Sequence, residues 1–179
     1  MTQAMNTSTE SLPVAHSGLR GAVSAGLRQC TKLCSQIPHT PVALLARFSI
    51  AAVFWKSGQT KVQGFAIDLV NGEFTLGWPH LSDSVLTLFR DEYRLPLVPA
   101  EIAAPIAAFA EHFFPLLILF GLATRLSALA LFGMTLTIQL FVYPDAYPTH
   151  GTWAAVLLFL VMYGPGKLSV DAWIVRRYG

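Results

Sequence analysis

Arg47, Lys56, Glu101 and Glu111 stand inside otherwise apolar stretches of this 179-residue sequence. An ionisable group at the centre of a bilayer costs at least a few kcal/mol unless it is paired, hydrated or snorkelling, so groups so placed are functional candidates by default. Arg47 lies about 9 Å from the start of its stretch and Glu111 about 16 Å from the end of its own, at 1.5 Å per helical residue. Those two ends fall on one side if both stretches cross a membrane, and the two side chains can then meet. A buried Arg47–Glu111 pair is the expectation, with His112 and Arg125 close enough to extend it. Two chemistries stay open for it: an ion pair that fixes helix register, and a proton-handling or ligand-binding site. His112 supplies a group that changes charge near neutral pH.

A second polar set gathers toward the opposite side. Lys56, Lys61, Glu101, Gln139 and His150 fall at similar depth and could line a small mouth. Taken singly they read as anchors: Lys56 can snorkel, and Glu101, beside Pro99, can sit at a helix amino terminus where its charge is favoured. The sequence offers no metal motif, phosphate loop or nucleophile–base pair, and His112 and His150 stand at different depths. Cys30 and Cys34 are one helical turn apart, but no further Cys or His stands by to complete a site.

The elements that must position these groups follow from composition. Apolar residues make up 54% and charged residues 12% of the chain, with a mean hydropathy of +0.52. Soluble domains carry roughly 25% charged residues, so a water-coated globule is excluded. Nucleic acid is excluded as a partner, because the twelve Lys and Arg form no basic stripe. A span needs about 20 mostly apolar residues, and four stretches qualify: 41–58, 97–122, 126–142 and 147–163. The expected fold is all-α, a four-helix transmembrane bundle. Pro99, Pro105 and Pro115 free backbone carbonyls along the second span and suggest that it lines a cavity.

Outside the spans, residues 1–17 read as a polar, disordered tail, without the build of a secretory signal. Residues 18–37 read as a basic amphipathic helix on the membrane surface, and 41–175 as the membrane domain. The long first loop, 59–96, contains two stretches, 62–70 and 82–93, expected to be short interfacial helices. Arg20, Arg28, Lys32, Arg125, Lys167, Arg176 and Arg177 share one side against Lys61, Arg90 and Arg94 on the other. The positive-inside rule then places both termini in the cytoplasm and the long loop in the bacterial periplasm.

Several of these residues resemble a family in their order and spacing. Arg47, the SGQTK stretch (Ser57, Gly58, Lys61), Glu111 with the following LLILFGLATR (Gly121, Arg125), and the closing GPGKLSVD (Gly164, Gly166, Ser169, Asp171) are similar to the DoxX family of small bacterial and archaeal membrane proteins. The resemblance runs over about 41–175. The chain departs from simpler members in its basic amino-terminal helix, its long first loop and the His after Glu111. What the resemblance implies is a four-helix integral inner-membrane protein. The family takes its name from a small subunit of an archaeal thiosulfate:quinone oxidoreductase, and some relatives are tied to thiol and oxidative-stress enzymes.

The implied function is an accessory subunit of a membrane redox system, in contact with lipid and a protein partner, with Glu111 and Arg47 binding a quinone head group or relaying its protons. No cofactor beyond a quinone is suggested, and no residue is assigned as catalytic. A non-catalytic anchor or assembly factor is the alternative. A small-solute permease is a third, although four spans without an internal repeat are few for alternating access.

Overall fold

The computed structural model describes residues 16–68 and 71–179. The expected disordered tail therefore lies outside the described residues up to position 15. Helix α1 (His16–Ser35) forms a unit of its own. It places Val23, Leu27 and Leu33 among Arg20, Arg28 and Lys32, and Cys30 and Cys34 are free and exposed.

The second unit, 39–179, contains α2 (His39–Gln59), strands β1 (Val62–Asp68) and β2 (Glu73–Leu81), α3 (Asp83–Leu88), a π-helical turn (Phe89–Tyr93), α4 (Ala100–Phe120), α5 (Thr124–Phe141), α6 (Tyr147–Tyr163) and α7 (Val170–Tyr178). By length and composition α4 and α5 can cross a membrane, with a third span only if α1 and α2 are taken together. Among the described residues four spans are thus not reached on that criterion. Arg47 and Lys56 lower the hydropathy of α2, and α6 has 17 residues.

Packing follows a membrane logic. Ile50, Ala51 and Phe54 of α2 meet Ile118, Ala128, Leu131, Leu157 and Leu160 in the main core. Alanines 103, 104, 107 and 108 form the buried face of α4, where small side chains let helix backbones approach closely. The outward faces stay apolar, with Leu45, Phe48, Ile102, Phe109 and Leu126 exposed. Helix α4 continues through Pro105 and Pro115 and stops at Gly121, whose positive φ of 71° permits the left-handed cap.

The first loop departs from expectation. Residues 62–68 form not a helix but a strand, paired antiparallel with β2. The alternation of Phe65 and Ile67 with Gly64, Ala66 and Asp68, followed by Asn71-Gly72, is a hairpin signal, and it outweighs the apolar content that suggested an interfacial helix. The second stretch is helical, as α3 and the π turn. Pairing the two strands makes the fold mostly rather than wholly helical.

Candidate functional site

Arg47 and Glu111 are 3% and 2% exposed, yet they do not meet. The Arg47 guanidinium donates instead to four backbone carbonyls: Ile118 at 2.8 Å and Leu119 at 2.5 Å, at the end of α4, and Pro165 at 3.2 Å and Leu168 at 2.7 Å, before α7. The last carbonyls of a helix have no intrahelical partner and carry its negative dipole end, so a cation there is favoured without a carboxylate. The planar fork of Arg suits several carbonyls at once.

Asp171 completes this clasp. Its carboxylate accepts the N–H groups of Ala123 at 2.7 Å and Thr124 at 3.0 Å, and its own N–H donates to the carbonyl of Gly121 at 2.8 Å. It thereby caps α5 from a distant part of the chain and holds Ala123 at a φ of 47°, uncommon for a residue with a side chain. Ser169 caps α7 by accepting from the N–H of Ala172. Gly121 is held close, since an added Cβ would stand 2.5 Å from that of Ser169. Gly166 fits against Thr40 and Ala43, and Gly164 lies beside the exposed Arg125. The closing motif is thus a set of backbone fittings around Arg47. Replacing Asp171 with Ala is expected to cost about 1 kcal/mol, the usual worth of an N-cap, read as a lower melting temperature in detergent.

Glu111 pairs with Lys61. The ammonium lies 2.7 Å from Oε2 and 3.0 Å from Oε1, and Ser57 Oγ donates to Oε1 at 3.0 Å. Lys61 also reaches Ser57 Oγ at 3.2 Å and the Ser57 carbonyl at 3.4 Å. Lys61 follows the end of α2, and the turn there folds its side chain back onto α4; it is 5% exposed.

His112 faces another way. Ile67 N–H donates to Gln59 Oε1 at 2.7 Å, which leaves Gln59 Nε2 to donate to His112 Nε2 at 2.8 Å. His112 Nδ1 then donates to the Ala108 carbonyl at 2.7 Å. The network assigns a neutral ring with both nitrogens committed, wedged against Gly58, where a Cβ would stand 2.8 Å away, and edge-on to Trp55.

The Lys61–Glu111 pair and Ser57 border a cavity of about 430 Å³ whose other lining comes from α4, α5, α6 and the segment after α3. Ala103, Ala107, Ala110, Phe114, Met134 and Trp153 make an apolar wall, and His150 supplies a polar point. Gln139 Nε2 donates to the Pro144 carbonyl, so its Oε1 accepts from His150 Nδ1 at 2.8 Å. His150 Nε2 is then the ring's remaining acceptor. Tyr93 and Tyr143, their rings 5.7 Å apart and edge to face, line the same cavity near Glu92, which accepts from the Tyr143 hydroxyl. Burial pushes Tyr93 up, and loss of hydration together with the bond to Glu92 pushes Tyr143 up. Both phenols therefore remain donors at neutral pH.

Of the expected mouth residues, Lys61 and His150 reach this cavity and Gln139 orients His150. Lys56 is exposed, and Glu101 pairs with Arg90 at the surface. Tyr93, Tyr143 and Trp153 carried no motif in the sequence. Their only signal was an aromatic side chain near the end of an apolar stretch.

No solved structure matches the chain. It is 29% identical over 145 residues to an uncharacterised protein of Haemophilus influenzae, across 75% of this chain and 84% of that one. The DoxX family model matches residues 42–144, from α2 through the Lys61–Glu111 pair to Tyr143 and short of the closing motif. With more than half its length matched, this apolar, mostly helical chain belongs to the DoxX family and is a membrane protein.

Proposed function

We propose that the chain is a four-span inner-membrane protein, both termini cytoplasmic, that serves a membrane redox system as an accessory subunit by binding a quinone-class molecule in the cavity beside Glu111. The cavity carries this reading. Its volume lies within the roughly 300–1,000 Å³ of small-molecule sites, and apolar walls with a few convergent polar groups are what such sites use. A quinone presents carbonyl oxygens on an apolar ring. Lys61 can donate to one of them by giving up its longest contact, the 3.4 Å bond to the Ser57 carbonyl. His150 Nε2 can accept from a hydroxyl of the reduced form. Aromatic walls from Phe114 and Trp153 suit the ring.

The excess of Lys and Arg in the tails and the α4–α5 turn supports the orientation. Arg47, with four bonds to internal carbonyls, and His112, with both ring nitrogens bonded internally, are assigned to the scaffold rather than to the ligand.

A decyl-chain quinone analogue is expected to raise the melting temperature of the purified protein, and Ala110→Phe, which fills the cavity from α4, to abolish the rise. An unchanged melting temperature in the wild type refutes the reading. A second reading, a membrane anchor or assembly factor, draws on the same internal bonding of buried groups. It expects Glu111→Gln to lower abundance while activity per molecule of the partner complex is kept.

A further inference from the structure

The two faces of the β1–β2 hairpin differ in character. Residues paired across antiparallel strands project from the same face. Phe65 stands opposite Leu76 and Ile67 opposite Phe74, while Ala66 faces Thr75 and Asp68 faces Glu73. Trp78 follows Leu76 by two residues, within the stretch of β2 where the register is irregular. Over residues 65–68 and 73–76, on the turn side of the register irregularity between Gln63 and Phe65, one face is therefore apolar and the other carries two carboxylates. The apolar row of β2 is uncovered, with Phe74 64%, Leu76 81% and Trp78 88% exposed.

The direction of that face is set by α2. Phe65 lies edge-on to Trp55 with ring centroids 6.3 Å apart, and Trp55 Nε1 donates to the Ile67 carbonyl at 3.1 Å. The apolar face thus turns toward the end of α2 and overhangs it. It continues an apolar surface that α2 already presents through the exposed Leu45 and Phe48.

We propose that the hairpin is a membrane-surface element: its apolar face rests in the headgroup and upper acyl region of the outer leaflet, with Phe74, Leu76 and Trp78 in lipid and Asp68 and Glu73 toward water. This rests on α2 spanning the membrane. Three large neighbouring apolar side chains left in water would be unusual, and Trp is favoured at headgroup level. The open strand edges limit the depth. Backbone N–H and C=O groups at a sheet edge cannot be satisfied in hydrocarbon, so the side chains enter and the backbone stays at the interface. A lipid surface is favoured over a protein partner because the face is continuous with the lipid-facing side of α2.

The test uses the full chain in phosphatidylcholine–phosphatidylglycerol liposomes, with Cys30→Ser and Cys34→Ser and a single spin label at Leu76→Cys, Thr75→Cys or Phe48→Cys. Relaxation by oxygen and by a water-soluble nickel chelate reads immersion depth. The Leu76 label is expected to favour oxygen, the Thr75 label nickel, and the Phe48 label oxygen more strongly than either. A Leu76 label that favours nickel overturns the proposal, and one shielded from both reagents overturns it in favour of a protein-covered face. A Phe48 label that favours nickel overturns the span reading as well, which separates the two failures. Brominated phospholipids give a second readout with the native hairpin sequence. The quenched fraction of tryptophan fluorescence is expected to fall in Trp78→Phe, and no change counts against the proposal.

Discussion

Arg47→Ala is expected to lower unfolding stability by about 3 kcal/mol or more, since each buried carbonyl left without a donor costs about 1–3 kcal/mol. The loss has several sources. The carbonyls of Leu119, Pro165 and Leu168 lose the guanidinium donor and that of Ile118 keeps only the Gly121 N–H, and water cannot readily replace it at a site where Arg47 is only 3% exposed. The variant also detaches the segment before α7 from α2, which weakens the Asp171 cap on α5. Arg47→Lys retains the charge but not the fork, so it should recover only part of the loss. Titration with sodium dodecyl sulfate in mixed micelles measures both variants. If Arg47→Ala unfolds like the wild type, the clasp contributes nothing and the contacts are incidental.

The second large effect is expected at Lys61 and Glu111. Removing either partner alone leaves a charge uncompensated beside an apolar cavity, at a cost of about 3 kcal/mol or more. Replacing both with apolar residues of similar volume should cost much less than the sum, because a well-packed apolar pair needs no compensation. The double-mutant cycle of Lys61→Met and Glu111→Leu is therefore expected to show a coupling on the order of 2 kcal/mol. Glu111→Gln should be milder than Glu111→Leu, since an amide oxygen can still accept from Ser57. If the two single losses add, the 2.7 Å contact is not energetically coupled. Ligand binding separates scaffold from site: the apolar double variant should fold but fail to shift with the quinone analogue.

The sequence singled out Arg47 and Glu111, which are buried, together with Lys56 and Glu101, which are exposed, and did not identify their partners. Counting residues along a helix gives height, and by height Arg47 and Glu111 were plausible neighbours. It gives no account of which way each side chain faces around the bundle, nor of backbone carbonyls as acceptors. Arg47 therefore found the end of α4, and Glu111 found Lys61. The closing motif was legible as a pattern, while its role as wiring for Arg47 depended on contacts 118 and 121 residues away. The helices were readable because long apolar runs have few alternatives. The hairpin is less legible, because the apolar content of 62–70 masks the alternation around Phe65 and Ile67 and the Asn71-Gly72 dipeptide. Gln139 and His150 were placed at one level from their positions alone, and they do bond to each other.

The clasp also bears on the order in which the protein is made. Arg47 is made before all four of its acceptors, and two of them, the carbonyls of Pro165 and Leu168, follow it by 118 and 121 residues. Until those residues are in place the guanidinium has only the carbonyls of Ile118 and Leu119. Synthesis of residues 165–168 is thus the event that locks α2 in place, and a product cut short before Pro165 would carry its own quality-control mark in a half-matched charge.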